Sequence, residues 1–267
     1  NMSIPKIIHY CWFGGNPLPE KDRKCIESWK EKCPEYKIIE WNESNYDVNK
    51  NAYMKDAYEA HRWGFVPDFA RLDIIYQYGG IYLDTDVELL RSLDDLLNQK
   101  AFMAFESETA VAPGLIIAAE PKNAIIKDMM DSIYGDRRFL RKDGTYDTVA
   151  SPKMATEYLV KKGLECNNRL QMIDGLHIYP KEYFCPKDYM TGEVYITDNT
   201  YSIHHYNASW QTNKQRRWHN FEYRISRIFG NQATGALRKL FVWRGIQVWY
   251  TKGFGYCVKR IFVGRSK

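Results

Sequence analysis

Short apolar runs along the chain alternate with longer segments of helical spacing. The run at 6–12, "KIIHYCW", reads as a buried strand closed by Gly14 and Gly15. In "LPEKDRKCIESWKEKCP" (18–34), Cys25, Ile26, Trp29 and Cys33 share one helical face, and Pro34 stops the helix. "YKIIEWNE" (36–43) is a second strand. Strand, helix and strand at this spacing predict a parallel sheet with crossover helices. Helices are expected at 51–64 and 66–80. The second of these has Pro67 in its first turn, Asp68 near its N-terminus, and Gly79 and Gly80 as its stop. "IYLDTDVELL" (81–90) follows as a strand, then strands at 101–106 and 114–120 and helices at 122–135 and 151–163. Late strands are expected at 176–184 and 201–206. No internal repeat interrupts this order, and the fold class is α/β.

With 267 residues, 45% of them hydrophobic, the chain can bury a sizeable core. Aromatic residues are 15% of it, including 20 Tyr and 8 Trp. That suits flat amphipathic surfaces for sugars or bases, although most aromatics serve a core. No run of about 18 apolar residues is present, so no membrane-spanning helix is expected. No signal peptide is expected either, and Asn1 ahead of Met2 reads as an addition to the native sequence. The six cysteines form no CxxC pair, which fits a reduced cytosolic protein better than a disulfide framework.

Charge divides the chain. From Lys214 to Lys267 there are 13 Lys or Arg against one acid, Glu222, so the overall +5 conceals an acidic remainder. The expected boundary lies near 213, with a catalytic domain at 2–213 and a basic, aromatic, helical extension at 214–267. Three readings of the extension are open: a helical cap on the sheet, a surface that lies on anionic membrane, or a nucleic-acid contact. The membrane surface is favoured, because nothing else in the chain resembles a nucleic-acid-binding module and no nucleic-acid partner is expected.

The candidate chemistry sits in "GGIYLDTDVELL" (79–90). Asp84 and Asp86 flank one residue at the end of an apolar strand. A turn with two solvated acids is the plainer reading of such a pair. At a strand-to-loop junction, however, the two can converge on one cation, and oxygen ligands of this kind suit Mg²⁺ or Mn²⁺. In open α/β sheets ligands bind beyond the carboxyl ends of the strands, so a nucleotide diphosphate is expected there. Asp68 and Arg71, three apart on the preceding helix, share a face. They are either a helix cap with a weak ion pair or a bracket for sugar hydroxyls.

"FARLDIIYQYGGIYLDTDVELL", with "IPKIIHYCWFGG" before it and "IHHYNASW" after it, closely resembles family-32 type DXD glycosyltransferases. That group includes capsular-polysaccharide transferases and initiating mannosyltransferases, and is related to the catalytic domains of large clostridial glucosylating toxins. The resemblance covers about 4–98 and returns at 201–211. It implies a GT-A fold, a Rossmann-like mixed sheet flanked by helices, and retaining transfer from a nucleotide sugar. By position, it implies that Asp84 contacts ribose and, through water, the metal, while Asp86 binds the metal directly. Asp68 and Arg71 would hold the donor sugar, Trp12 would stack on the base, and Tyr82 would lie beside the donor. The family spacing selects His205 over His204 as the third metal ligand, with Ser209 and Trp210 covering the diphosphate. Ser151 stands where the family carries Gly, which leaves its role open.

The function expected is metal-dependent transfer of a hexose or N-acetylhexosamine from a nucleotide sugar, UDP-sugar preferred. The acceptor would be a glycan or lipid-linked glycan in bacterial surface-polysaccharide synthesis, at the cytoplasmic face of the plasma membrane. Alternatives are a GDP-mannose-dependent mannosyltransferase, a toxin-like protein glucosyltransferase, and a non-catalytic nucleotide- or glycan-binding module.

Overall fold

A computed structural model describes residues 3–188 and 191–207, together with Phe221, Arg224, Ile225 and Ile228. The sheet is laid down by β1 (Ile7–Cys11), β2 (Lys37–Trp41), β3 (Gly80–Tyr82), β5 (Ala101–Ala104), β6 (Ile117–Ala119), β7 (Gln171–Ile173) and β8 (Leu176–Tyr179). These strands lie in the order β2-β1-β3-β6-β5-β8-β7. Strands β2, β1 and β3 run parallel, as do β5 and β8, while β6 runs against both β3 and β5. The helices are α1 (Glu20–Lys32), α2 (Ala52–Glu59), α3 (Pro67–Tyr78), α4 (Ala124–Tyr134) and α5 (Ser151–Lys161). This is the α/β architecture expected of a GT-A-type fold, a mixed sheet flanked by helices.

Both sheet faces are covered, which follows from the strand sequences. Neighbouring residues on a strand point to opposite faces, and here both are apolar. Ile81, Phe102 and Ala118 join one core with Ile26 and Trp29 of α1. Tyr82, Met103 and Ile117 join the other with Leu72 of α3 and Met129 of α4. Each fully buried Ile, Leu, Phe or Met among them contributes roughly 1.5–3 kcal/mol of hydrophobic stabilisation.

The expected strand at 81–90 is not continuous. It breaks after Tyr82 and resumes as β4 (Val87–Leu89), which pairs antiparallel with β9 (Ser202–His204) in a separate ribbon. The break falls on the two aspartates. The expected strand at 176–184 also stops early, because Pro180 leads into a 3₁₀ turn at Lys181–Tyr183. Helix α2 ends at Glu59, short of the expected residue 64.

The chain forms two compact units, 1–187 with 195–207, and 188–194 with 208–267. The expected extension at 214–267 belongs to the second and, apart from Phe221, Arg224, Ile225 and Ile228, lies outside the described residues. Among the described residues, no helix is long and apolar enough to cross a membrane.

Candidate functional site

The site starts where α3 hands over to β3. Gly79 caps α3 with φ 64°, and Gly80 follows at φ 97°. A Cβ on Gly80 would lie 2.6 Å from the Ile7 carbonyl oxygen, so this close approach requires glycine. His9 of β1 fixes the turn from below. Its Nδ1 accepts a hydrogen bond from Trp41 Nε1 at 3.0 Å, which leaves Nε2–H to donate to the Gly79 carbonyl at 2.8 Å. Burial pushes the His9 pKa down to about 4, so the ring works as a neutral brace.

Beyond Tyr82 the chain leaves the sheet in a tight turn. Asp84 N–H donates to Gly114 O at 3.0 Å, and Val87 N–H donates to Asp84 O at 3.1 Å. Thr85, between the two acids, points inward and donates to Asp22 Oδ2 of α1 at 2.6 Å. Asp22 Oδ1 accepts from Asn207 Nδ2 at 2.9 Å, and Asn207 N–H donates to Asp86 Oδ2 at 3.0 Å. The aspartate turn is therefore clamped both by α1 and by the segment after β9. His204 Nε2 lies 3.0 Å from Asp86 Oδ1. Asp84, Asp86 and His204 each offer one ligand atom, all within 4.8 Å of one another.

Against this cluster lies a buried polar group from α3. Arg71 Nη2 is 3.2 Å from Asp84 Oδ1 and 3.5 Å from Asp68 Oδ1. Its Nη1 donates to Ser151 Oγ at 3.3 Å, and its guanidinium carbon sits 5.2 Å from the centre of the Tyr82 ring. Among the described residues, Arg71 Nε and His204 Nδ1 are buried without a hydrogen-bond partner. Unpaired donors so deeply buried cost about 1–3 kcal/mol each. They are the kind of group a polar ligand or ordered water satisfies.

The charges are unequal by construction. Burial raises the Asp68 pKa to about 7, with Arg71 opposing and Asp84 adding to the rise. Burial, then the charge of Asp86, pushes Asp84 above the usual carboxylate range even though Arg71 opposes it. Asp86 is held below that range, because the charge and hydrogen bond of His204 outweigh its burial. Burial alone would lower the His204 pKa, but Asp86 outweighs it and holds the ring up at about 9. Two acids crowded against one imidazole form an anionic donor set. Hard oxygen ligands with one nitrogen fit Mn²⁺ or Mg²⁺.

Of the residues expected from sequence, Asp68, Arg71, Asp84 and Asp86 come together. Trp12, at the end of the neighbouring strand β1, is half-buried, and its Nε1 donates to Asn16 O at 2.5 Å. His205 does not join the acids. On β9 adjacent side chains face opposite ways. His205 shares the face of Ile203, which pairs with Glu88, and His205 Nε2 lies 2.6 Å from Glu88 Oε2. His204 takes the place expected for His205. Tyr82 is 1% exposed and sits under Arg71 rather than open to a donor, because it is the last pleated residue before the turn. Ser209 and Trp210 lie outside the described residues. Ser151, whose role the sequence left open, is a partner of Arg71. Asp22, His9, Asn207 and Gly114 were not singled out from sequence.

Gly114 faces Asp84 so closely that a Cβ there would fall 2.1 Å from Asp84 Oδ2 and 2.8 Å from its Cγ. Gly114→Ala is expected to displace the Asp84 carboxylate while leaving the core intact. Isothermal titration should show Mn²⁺ affinity falling by roughly tenfold or more, the scale of loss when groups supporting a metal site are disturbed. The melting temperature should change little.

Residues 19–103 match a family model described as a glycosyltransferase sugar-binding region containing a DXD motif. Inositol phosphoceramide mannosyltransferase 3 of Schizosaccharomyces pombe is 32% identical over 42% of this chain and 32% of its own length. Mannosyl phosphorylinositol ceramide synthase SUR1 of Saccharomyces cerevisiae is 35% identical over 41% of this chain and 29% of its own. The chain thus spans about a third of the length of these curated relatives. A solved structure titled PaToxG glycosyltransferase aligns over 60% of this chain and 70% of its own, with TM-score 0.46 and 20% identity. The matched region and the curated relatives support a glycosyltransferase of the DXD type.

Proposed function

We propose that the protein is a divalent-metal-dependent, retaining glycosyltransferase that moves a hexose from a nucleoside-diphosphate sugar to a hydroxyl of a glycan or lipid-linked glycan. The observation that carries this reading is the convergence of Asp84, Asp86 and His204 within 4.8 Å at the carboxyl end of β3. That position, next to a parallel strand, is where α/β sheets receive nucleotides. Asp86 and His204 would hold the cation directly and Asp84 on its other side. A cation there supplies Lewis-acid stabilisation of the charge that gathers on a departing diphosphate. Arg71 and Asp68 would grip the sugar hydroxyls, with Ser151 and Tyr82 keeping the guanidinium in place. Trp12 would stack on the base.

Two donors compete. The Trp12 position and the Asp68–Arg71 pair favour a UDP-hexose or its N-acetyl form, whereas the names of the yeast relatives favour mannose. Those relatives also name an inositol phosphoceramide acceptor, in keeping with a lipid-linked one here. A bacterial surface-polysaccharide setting belongs to the same proposal. So does peripheral attachment through 214–267 to the cytoplasmic face of an anionic membrane. Incubating the protein and Mn²⁺ with UDP-glucose, UDP-galactose, their N-acetyl forms and GDP-mannose, then assaying nucleotide release, tests the reading. Slow metal-dependent release from one donor is expected. Tight binding of a donor without any release would favour a non-catalytic binding module instead.

A further inference from the structure

We propose that Lys187, with Lys21 beside it, forms a cationic grip for the diphosphate of the nucleotide sugar and stabilises the charge that gathers there as the sugar departs. This role rests on the glycosyltransferase reading above.

Both lysines reach the site from the edge of the sheet that carries the aspartates. Strands β1 and β3 run parallel, β6 runs against both β3 and β5, and β8 runs with β5. Strands β1, β3, β5 and β8 therefore end at one edge. The chain that leaves β1 there enters α1, whose first turn carries Lys21 next to Asp22. Asp22 is tied to Thr85 and Asn207, so this turn is fixed against the aspartates. The chain that leaves β8 passes through the 3₁₀ turn at Lys181–Tyr183 and comes to Lys187. Lys187 Nζ donates to His205 O at 3.1 Å, and His205 N–H donates to Asp86 O at 2.9 Å. Lys187 is thus held on the side of Asp86 and His204. Arg71 lies on the other side, against Asp84. A diphosphate seated on this ligand group meets positive charge on both flanks.

The two ammonium groups are also placed against their own electrostatics. Among the described residues, neither Lys21 nor Lys187 forms an ion pair. Lys187 is half-buried; burial and then the charge of Lys21 pull its pKa down, while the charge of Asp86 opposes them. Two neighbouring cations, one of them partly out of water, repel each other and lose hydration. An anion between them removes both costs. The Asp86 carboxylate is already engaged by His204 and by the Asn207 amide, so that anion has to come from a ligand. Ammonium groups suit phosphate oxygens as compact point charges.

In the transfer, the bond from the anomeric carbon to the diphosphate oxygen breaks, and its electron pair stays on the diphosphate. The acceptor oxygen bonds to that carbon on the same face, which retains the configuration, and its proton passes to the departing diphosphate oxygen. Lys187 and Lys21 exchange no proton in this step. They act by charge on the leaving group, as cationic clamps do on phosphoryl groups. When water replaces the acceptor, the same step hydrolyses the donor.

The experiment measures binding of UDP and GDP with Mn²⁺ by calorimetry for wild-type protein, Lys187→Met, Lys187→Arg and Lys21→Met. Mn²⁺ binding without nucleotide, thermal melting and hydrolysis of the donor panel are followed in parallel. Lys187→Met should weaken the diphosphate that the wild type binds by about tenfold or more, the scale of a hydrogen bond to a charged group. Its hydrolytic kcat should fall by about tenfold or more as well. Lys187→Arg keeps the charge and should recover most of both. Lys21 is exposed, so Lys21→Met should show a smaller loss that shrinks further as salt is added. Mn²⁺ affinity without nucleotide should hold or rise in Lys187→Met, because a cation near Asp86 is gone. An unchanged diphosphate affinity in Lys187→Met overturns the grip, and an unchanged kcat overturns its stabilising role. A fall in nucleotide-free Mn²⁺ affinity that matches the loss of diphosphate also overturns it, since Lys187 would then only support the His205 segment. A wild-type protein that binds neither UDP nor GDP overturns the glycosyltransferase reading itself.

Discussion

Asp86→Ala is expected to abolish metal-dependent turnover, lowering kcat by roughly a thousandfold or more. A thousandfold corresponds to ~4 kcal/mol of lost transition-state stabilisation, within what a Lewis-acidic cation supplies to a leaving diphosphate. The loss is large because Asp86 serves two ends. One carboxylate oxygen faces His204 at 3.0 Å, and the other accepts from the Asn207 amide at 3.0 Å. Removing it takes away a ligand and frees both its partners. The folding cost should stay moderate, since the Asp86 side chain is at the edge of the core with 14% exposure. Asp86→Asn keeps the hydrogen bond from Asn207 and loses only the charge that faces His204, so it should melt above Asp86→Ala and below the wild type while remaining inactive. Initial rates across a Mn²⁺ titration, with circular-dichroism melts of each variant, check this. More than a tenth of wild-type activity in Asp86→Ala would contradict it.

The second large effect separates two adjacent histidines. His204→Ala should lose Mn²⁺ binding at micromolar metal and fall to about a hundredth of wild-type activity or below, on the scale of other lost ligands and their supports. His205→Ala should lose only its contact with Glu88, a half-exposed pair worth about 0–1 kcal/mol. A pH signature accompanies this difference. His204 has a folded pKa of about 9 against an ordinary 6.5, so its pairing with Asp86 stabilises the metal-free protein fully below pH 6.5. That contribution fades as pH rises through about 9. A metal needs the neutral imidazole, so Mn²⁺ must displace this proton, and affinity should climb over the same interval. The metal-free melting temperature of the wild type should therefore fall from pH 6.5 to 9 relative to that of His204→Ala. Equal loss of Mn²⁺ affinity in the two single variants would return the ligand role to the spacing expected from sequence.

The misplacement of the histidine shows where pattern reading ends. Helix and strand order could be read because each segment announces itself locally. Pro67 and the Gly79–Gly80 stop bracket α3, and paired apolar residues mark the strands that are covered on both faces. The aspartates at a strand end pointed to a cation for the same local reason. Which histidine faces them depends on the pairing of β9 with β4, more than a hundred positions away in sequence, and a shift of one residue exchanges the two faces. Asp22 illustrates the same limit. On α1 it is one more acid in a charged first turn, yet it is fully buried and ties Thr85 to Asn207. Gly114 gave no turn signal, because what it provides is room for the Asp84 carboxylate. His9 looked like a polar residue inside a strand, and only its partners, Trp41 and Gly79, reveal a brace. Each of these contacts crosses the sheet or joins separate elements, and no periodicity within one segment encodes it.

Every effect expected above depends on a divalent cation held by Asp84, Asp86 and His204. Mn²⁺ titration followed by electron paramagnetic resonance, with and without UDP and GDP, measures this directly. One Mn²⁺ per chain should bind the wild-type protein, more tightly with the matching nucleotide, and should be released by Asp86→Ala and by His204→Ala. A wild-type protein that leaves all the Mn²⁺ free with either nucleotide, or variants that bind it as well as the wild type does, would contradict the account.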